Sequence, residues 1–398
     1  MIRNRPRSGN HRSAWFVAQT HKRRTTITTR PKGPARQPSP PRSLGSTRRN
    51  RFHRQSLCIR LPRPKLLFDC PVSSSSAVSD LARHAAMNVR AAVIAPVRRQ
   101  RLQRLAAAGR APAMVTFYHR VADRHPNAWT LSREAFTQHL DHFEQHFRLT
   151  DLAQVQTIVR QPTHPAANAN RGDRSGVRIG GKPTLSVTFD DGYAENLLFA
   201  IPELLRRNIP VTYFVATGHI EHQRPFGHDL AAGQPLPVHN ASELRQMASA
   251  GIEIGGHTRD HLDCSTTTDP AVLTTQIVDD RKRLQDLTGQ AIRFFAFPFG
   301  LHAQLHPIAI EAVVRAGYDG FCSAYGGYNA IGGDGFHIRR FHGDPEMSRL
   351  KNWTSLDPAK QRETNPILYH SPHSADPAMV VPPSITTDTH HTTLPSRP

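Results

Sequence analysis

Leu185-Ser186-Val187-Thr188-Phe189-Asp190-Asp191-Gly192-Tyr193 is the stretch on which the reading of this chain turns. Its apolar residues alternate with Ser and Thr, the period of a strand, and the run stops at two adjacent carboxylates and a glycine. Such a strand delivers its charged end into a pocket. Adjacent carboxylates repel, so both stay ionised most easily when one binds a cation and the other is left free as a base. The remaining cation ligands stand further along, in Gly255-Gly256-His257-Thr258-Arg259-Asp260-His261. There, two histidines four apart follow another strand-like run, Ile252-Glu253-Ile254. Two neutral imidazoles and one carboxylate make a facial set for a divalent ion, with positions left for water and a substrate oxygen. Asp191, His257 and His261 supply that set, and Asp190 is the free base. The chemistry this permits is hydrolysis of an ester or amide.

The surroundings repeat one pattern. After Tyr193 an amphipathic helix is expected over 194–207 and a strand over 210–215, a parallel βαβ unit. Residues 217–240, with His219, His222, His228, Asp229 and His239, have the composition of a substrate-facing rim. Asn240 caps a helix over 241–250, and the histidine-bearing strand follows. A helix over 269–287 closed by Gly289, a strand over 293–300, a helix over 305–316 and a strand over 318–323 continue the alternation. Upstream, a strand over 113–121 contains Tyr118-His119. The helix expected over 132–147 has Ser132 as N-cap and an apolar face of Phe136, Leu140, Phe143 and Phe147. His139, His142 and His146 lie off that face and are expected in solvent. A short strand and helix over 149–159 and a Pro/Asn/Gly/Arg-rich loop over 161–181 precede the first motif strand. Alternation sustained past residue 300 predicts a closed or nearly closed α/β barrel, with its chemistry at the strands' C-terminal ends.

The 398 residues carry a net charge of +20, but residues 1–110 hold 25 of the 51 Lys and Arg and only 2 of the 31 Asp and Glu. The high pI therefore belongs to this Arg/Pro/Ser-rich leader, read as largely disordered, and the remainder is mildly acidic. Positive charge alone would suit nucleic acid or anionic lipid, yet no aromatic interleaving or binding fold accompanies it, so no specific nucleic-acid partner is expected. A start assigned too far upstream, with the product beginning near Met87 and a basic helix over 88–108, explains the leader better. The expected organisation is a leader over 1–110, a barrel over 111–360 and a disordered Pro/Ser/Thr/His-rich tail over 361–398. Cys58, Cys70, Cys264 and Cys322 show no CxxC spacing; Cys264, close to His261, reads as a buried thiol and not a ligand. No apolar run is long enough for a transmembrane helix, and the first 30 residues lack the apolar core of a secretory signal. The location expected is cytoplasmic or associated with the cell envelope. Oligomeric state is not legible.

Thr188-Phe189-Asp190-Asp191-Gly192 and His257-Thr258-Arg259-Asp260-His261 resemble the first two motifs of the polysaccharide deacetylases, the NodB-homology or carbohydrate esterase family 4 proteins. The resemblance covers about residues 113–345. It implies a distorted (β/α) barrel, a divalent metal with zinc the expected ion, and removal of acetyl groups from an N-acetylated polysaccharide or oligosaccharide. It also implies Asp190 as general base, Asp191, His257 and His261 as metal ligands, and Thr258 as a support of the second motif. Tyr118-His119-Arg120-Val121 is similar to the first strand of a subgroup tied to bacterial exopolysaccharide. Where the family has Arg-x-Pro-x-Gly, this chain has Ala296-Phe297-Pro298-Phe299-Gly300, so the arginine that holds the catalytic aspartate must come from elsewhere: Arg293, Arg339 or Arg340. Leu368-Tyr369-His370 matches the family's Leu-x-His, implying His370 as general acid, with His119, His337 and His342 as competitors. The alternatives are a small amide, cyclic imide or O-acetyl ester as substrate, or a carbohydrate-binding relic without catalysis.

Overall fold

The computed structural model describes residues 85–163, 181–324, 326–361 and 367–373; most of the leader, the loop 164–180 and the end of the tail lie outside the described residues. The strands are β1 (Met114–Tyr118), β2 (Arg120–Val121), β3 (Thr130–Leu131), β4 (Arg148–Leu149), β5 (Thr184–Phe189) and β6 (Val211–Val215). They continue as β7 (Glu253–Gly256), β8 (Phe294–Ala296), β9 (Gly320–Ser323), β10 (His337–Arg339) and β11 (Phe341–His342). Apart from the small β2-β3 pair, they form one parallel sheet in the order β10-β9-β8-β7-β6-β5-β1-β11, with β4 beside the start of β5. β10 and β11 are consecutive in the chain, separated by Arg340 alone, yet stand at opposite ends of that order. The sheet therefore curls into a nearly closed, distorted (β/α) barrel, and Arg340 sits at its seam.

Strand periodicity sorts the side chains into two layers. Val115, Phe214, Phe294, Ala296, Cys322 and Ile338 pack together inside. Met114, Tyr118, Leu185, Val187, Phe189, Tyr213, Ile254, Phe295 and Phe321 belong to the layer beneath the helices. On β5 this leaves Ser186, Thr188 and then Asp190 on the inner face; on β7 it leaves Gly255 and then His257. The alternation thus carries both motifs to the interior at the strands' C-terminal ends. Space there is tight: a Cβ at Gly255 would collide with the Phe214 ring, so only glycine fits.

The helices follow their local signals. Arg133–His146 starts where Ser132 Oγ accepts the Ala135 N–H, and Ala241–Ser249 has a full Asn240/Glu243 capping box. Left-handed Gly289 and Gly317 end Asp280–Thr288 and Pro307–Ala316. No helix among the described residues is long and apolar enough to cross a membrane.

Two expectations are corrected. His139 and His142 are buried, not solvated, because a second surface covers their side of the helix: His142 bonds Thr354 at 3.0 Å, and His139 bonds the Tyr118 hydroxyl at 3.0 Å. The core also crosses the expected boundary at residue 110. The basic helix forms as Ala95–Ala107, and its Leu102 and Ala106 are buried in the main cluster. Within the expected tail, Ile367 and Tyr369 are likewise buried there.

Candidate active site

Asp190 follows β5 directly, and its backbone N–H donates to the Tyr118 carbonyl at 2.8 Å. Its carboxylate is buried and receives two parallel bonds from Arg340, 2.7 Å to Oδ1 and 2.9 Å to Oδ2. Arg340 is fully buried; it also donates to Ser323 O and Thr188 Oγ1 and lies between the Phe117 and Phe214 rings. Burial pushes the Asp190 pKa up, but the Arg340 guanidinium and His257 outweigh it and hold the carboxyl below its ordinary value. Of the three candidate arginines, the seam residue does the work expected of the missing motif arginine. Arg293 pairs instead with Glu253 and Asp319, and Arg339 takes the Asn329 side chain on its N–H.

Asp191 turns the chain the other way. Its left-handed backbone, φ 74°, swings the next carboxylate away from Arg340 and toward the histidines. Nε2 of His257 lies 3.5 Å and Nε2 of His261 3.2 Å from Asp191 Oδ1, and the three ligand atoms fall within 4.8 Å of one another. His257 Nδ1 donates to the Ala296 carbonyl at 2.7 Å, which leaves the Nε2 lone pair aimed at the carboxylate. Asp191 Oδ1 is buried without a hydrogen-bond partner. A lone pair facing an orphaned carboxylate oxygen is the arrangement a cation relieves, so the residues fit a divalent metal. Thr258 and His261, both at φ 53°, and Phe299 at φ 60° are also left-handed. Strained backbone thus gathers around this triad. Thr258 Oγ1 accepts the Leu262 N–H at 2.8 Å and closes the loop that returns His261 to His257.

The competing histidines separate clearly. His370 is exposed, and the preceding Tyr369 is tied to Asp334 and to the N–H of His337, at the end of the barrel where the strands begin. The carboxylates stand at the other end, and the structure does not bring His370 to them. His337 faces the outer layer, bonded to Ser323 at 2.8 Å and stacked on Phe321. His119 and His342 stand beside the carboxylates, their ring centroids 6.2 Å apart. His119 Nδ1 is buried with no partner among the described residues; burial lowers its pKa, while Asp191 and Asp190 push it back up.

Sequence reasoning missed the aromatic frame. Phe226, inside the expected rim insertion, stands edge-on to His261 at 5.3 Å and stacks on His219 at 4.3 Å. Trp129, 42% exposed, leans on His119 with ring centroids 4.7 Å apart. Neither carries a motif, so only the fold reveals them.

Residues 178–321 match the model of the polysaccharide deacetylase family, and this span contains the Asp190-Asp191 pair, both triad histidines and the strands that carry them. Over that span the chain is similar to the polysaccharide deacetylases. In the chain, 132 residues are 28% identical to YxkH of Bacillus subtilis (strain 168), a protein bearing the polysaccharide deacetylase name; the match covers 33% of this chain and 41% of YxkH. The chain thus spans about two fifths of that relative. Among solved structures, the Streptococcus pyogenes deacetylase PplD in complex with acetate superposes with a TM-score of 0.48 at 19% identity, covering 62% of this chain and 99% of PplD. IcaB from Ammonifex degensii gives 0.47 at 22% identity, covering 63% and 97%. Arg340, which holds the Asp190 carboxylate, lies outside the matched span.

Proposed function

We propose that the protein is a metal-dependent hydrolase that removes N-acetyl groups from sugar units of a polysaccharide. The observation that carries this reading is the division between adjacent carboxylates: Asp190 is gripped by Arg340, while Asp191 faces two histidines. Metal binding alone has no use for the first. A divalent ion held by Asp191, His257 and His261, with zinc the expected one, would supply polarisation of the acetyl carbonyl and acidification of a water. Asp190, kept ionised and aimed by Arg340, accepts the proton of the attacking water. The amide C–N bond breaks, a C–O bond forms, and the leaving amine takes a proton from His119, the histidine that stands beside both carboxylates with its Nδ1 buried and unpartnered among the described residues. Products are acetate and a free amino sugar. The Tyr118-His119-Arg120-Val121 stretch supports an envelope exopolysaccharide as the polymer.

The test is acetate release from N-acetylglucosamine oligomers by the zinc-loaded chain. Release that disappears on chelation and in Asp190→Asn supports the reading. No release from a chain that holds one metal tightly would overturn the sugar N-deacetylase assignment.

A further inference from the structure

The loop between β2 and β3 is built with more care than a connector needs. Arg120, fully buried, pairs with the Glu195 carboxylate and donates to the carbonyls of His125 and Arg124 at 2.7 and 2.8 Å and to Thr130 Oγ1 at 2.9 Å. Asn127 Oδ1 accepts the Trp129 N–H at 3.0 Å, and its Nδ2 donates to buried Asp229, which also takes the Tyr193 hydroxyl at 2.8 Å. The loop is thereby tied to the barrel mouth and to the rim insertion at once. What it presents is the Trp129 indole, which adds little to the core and stays exposed. The His119 ring supports it at 4.7 Å and the His342 ring stands near edge-on at 5.9 Å, with an interplanar angle of 87°.

A rigid, hydrated aromatic plane at the mouth of a polar site is suited to one kind of ligand surface. The π face is electron-rich and attracts the polarised C–H groups that line one side of a pyranose ring, and burying both apolar faces releases water. The side of the site also matters. On the function proposed above, which this inference rests on, His119 serves the amine, and the amine belongs to the sugar. A plane against His119 therefore meets sugar and not the acetyl group. We infer that Trp129 is a stacking platform for a pyranose ring of the bound chain, and that it makes the substrate an oligomeric or polymeric sugar in place of a single N-acetyl sugar or small amide.

Binding is measured without turnover by calorimetry, titrating β-1,4- and β-1,6-linked N-acetylglucosamine tetramers and the monomer into the zinc-loaded Asp190→Asn chain, with and without Trp129→Ala or Trp129→Phe. The tetramer Kd should rise about tenfold in Trp129→Ala and recover most of that in Trp129→Phe, while the monomer changes far less. In the active chain, the fall in KM from monomer to tetramer should vanish in Trp129→Ala. An unchanged tetramer Kd in a folded Trp129→Ala chain overturns the inference, as does failure of both tetramers to bind the parent. Tetramer binding that depends on Trp129 without acetate release would keep the platform and sink the deacetylase reading.

Discussion

Arg340 and Asp190 meet across the seam of the barrel, the guanidinium holding both carboxylate oxygens at 2.7 and 2.9 Å with neither residue open to solvent. Removing one partner of such a pair strands a buried charge. Arg340→Ala is expected to cost about 3–5 kcal/mol in urea unfolding and to lower kcat on the order of a hundredfold, because Asp190 is then neither aimed nor kept ionised. Arg340→Lys keeps the charge but loses the two-point grip, so it should fall between. A wild-type rate in a folded Arg340→Ala chain would remove Asp190 from the role of base.

The metal set predicts a different pattern. His257→Ala, His261→Ala and Asp191→Asn should each lose zinc on dialysis, read by elemental analysis of the protein. Asp190→Asn should keep its zinc while losing turnover. The Ala296 carbonyl fixes the His257 ring without any metal, so the site is largely preformed and the variants should remain folded. Loss of zinc from Asp190→Asn as complete as from Asp191→Asn would contradict the division between the two carboxylates.

Geometry also selects among the histidines. Substituting a positioned general acid costs about 10²–10⁴-fold in rate, and His119→Ala should show a loss in that range in kcat with little change in bound zinc. His370→Ala, at the far end of the barrel, should leave kcat as it is. The reverse result in a steady-state assay would return the acid role to the Leu368-Tyr369-His370 stretch.

What the sequence could show depended on how local the signal was. Strand alternation through Val187-Thr188-Phe189 and the charged stop after it located β5 and the inward face of Asp190, since the period of two needs no tertiary partner. The triad was legible because both of its segments end strands of one sheet. Arg340 could be narrowed only to one of three, because its contact with Asp190 depends on β10 and β11 closing the sheet from its two ends. His139 and His142 were misplaced for a related reason: one apolar stripe was visible on their helix, while His139 is covered by Tyr118 of β1 and His142 by Thr354, which follows the Met347–Trp353 helix near the end of the fold. Trp129 left no trace, since an exposed aromatic in a loop looks the same whether or not the loop is fixed.

The buried histidines predict how the fold meets acid. Burial lowers the His142 pKa to about 3, helped by repulsion from Arg99, and lowers that of His139 to about 4. The unfolded chain binds a proton at each near pH 6.5, so between that value and the folded pKa it carries more protons than the native state. Each histidine then stabilises the fold fully above about pH 6.5 and withdraws roughly 1.4 kcal/mol for every unit the pH falls below it. Asp280 works the other way. It is buried with both oxygens unpartnered, burial raises its pKa to about 7, and its contribution is complete below about pH 4 and lost as the pH rises toward 7. Wild-type stability between pH 6 and 4 is therefore a difference of opposed slopes. Urea unfolding at pH 7, 6 and 5 should show His142→Phe losing less stability toward acid than wild type, by roughly 1.4 kcal/mol per unit, and Asp280→Asn losing more by a similar amount. Parallel curves for all three chains would mean that these groups titrate in the fold as they do in water.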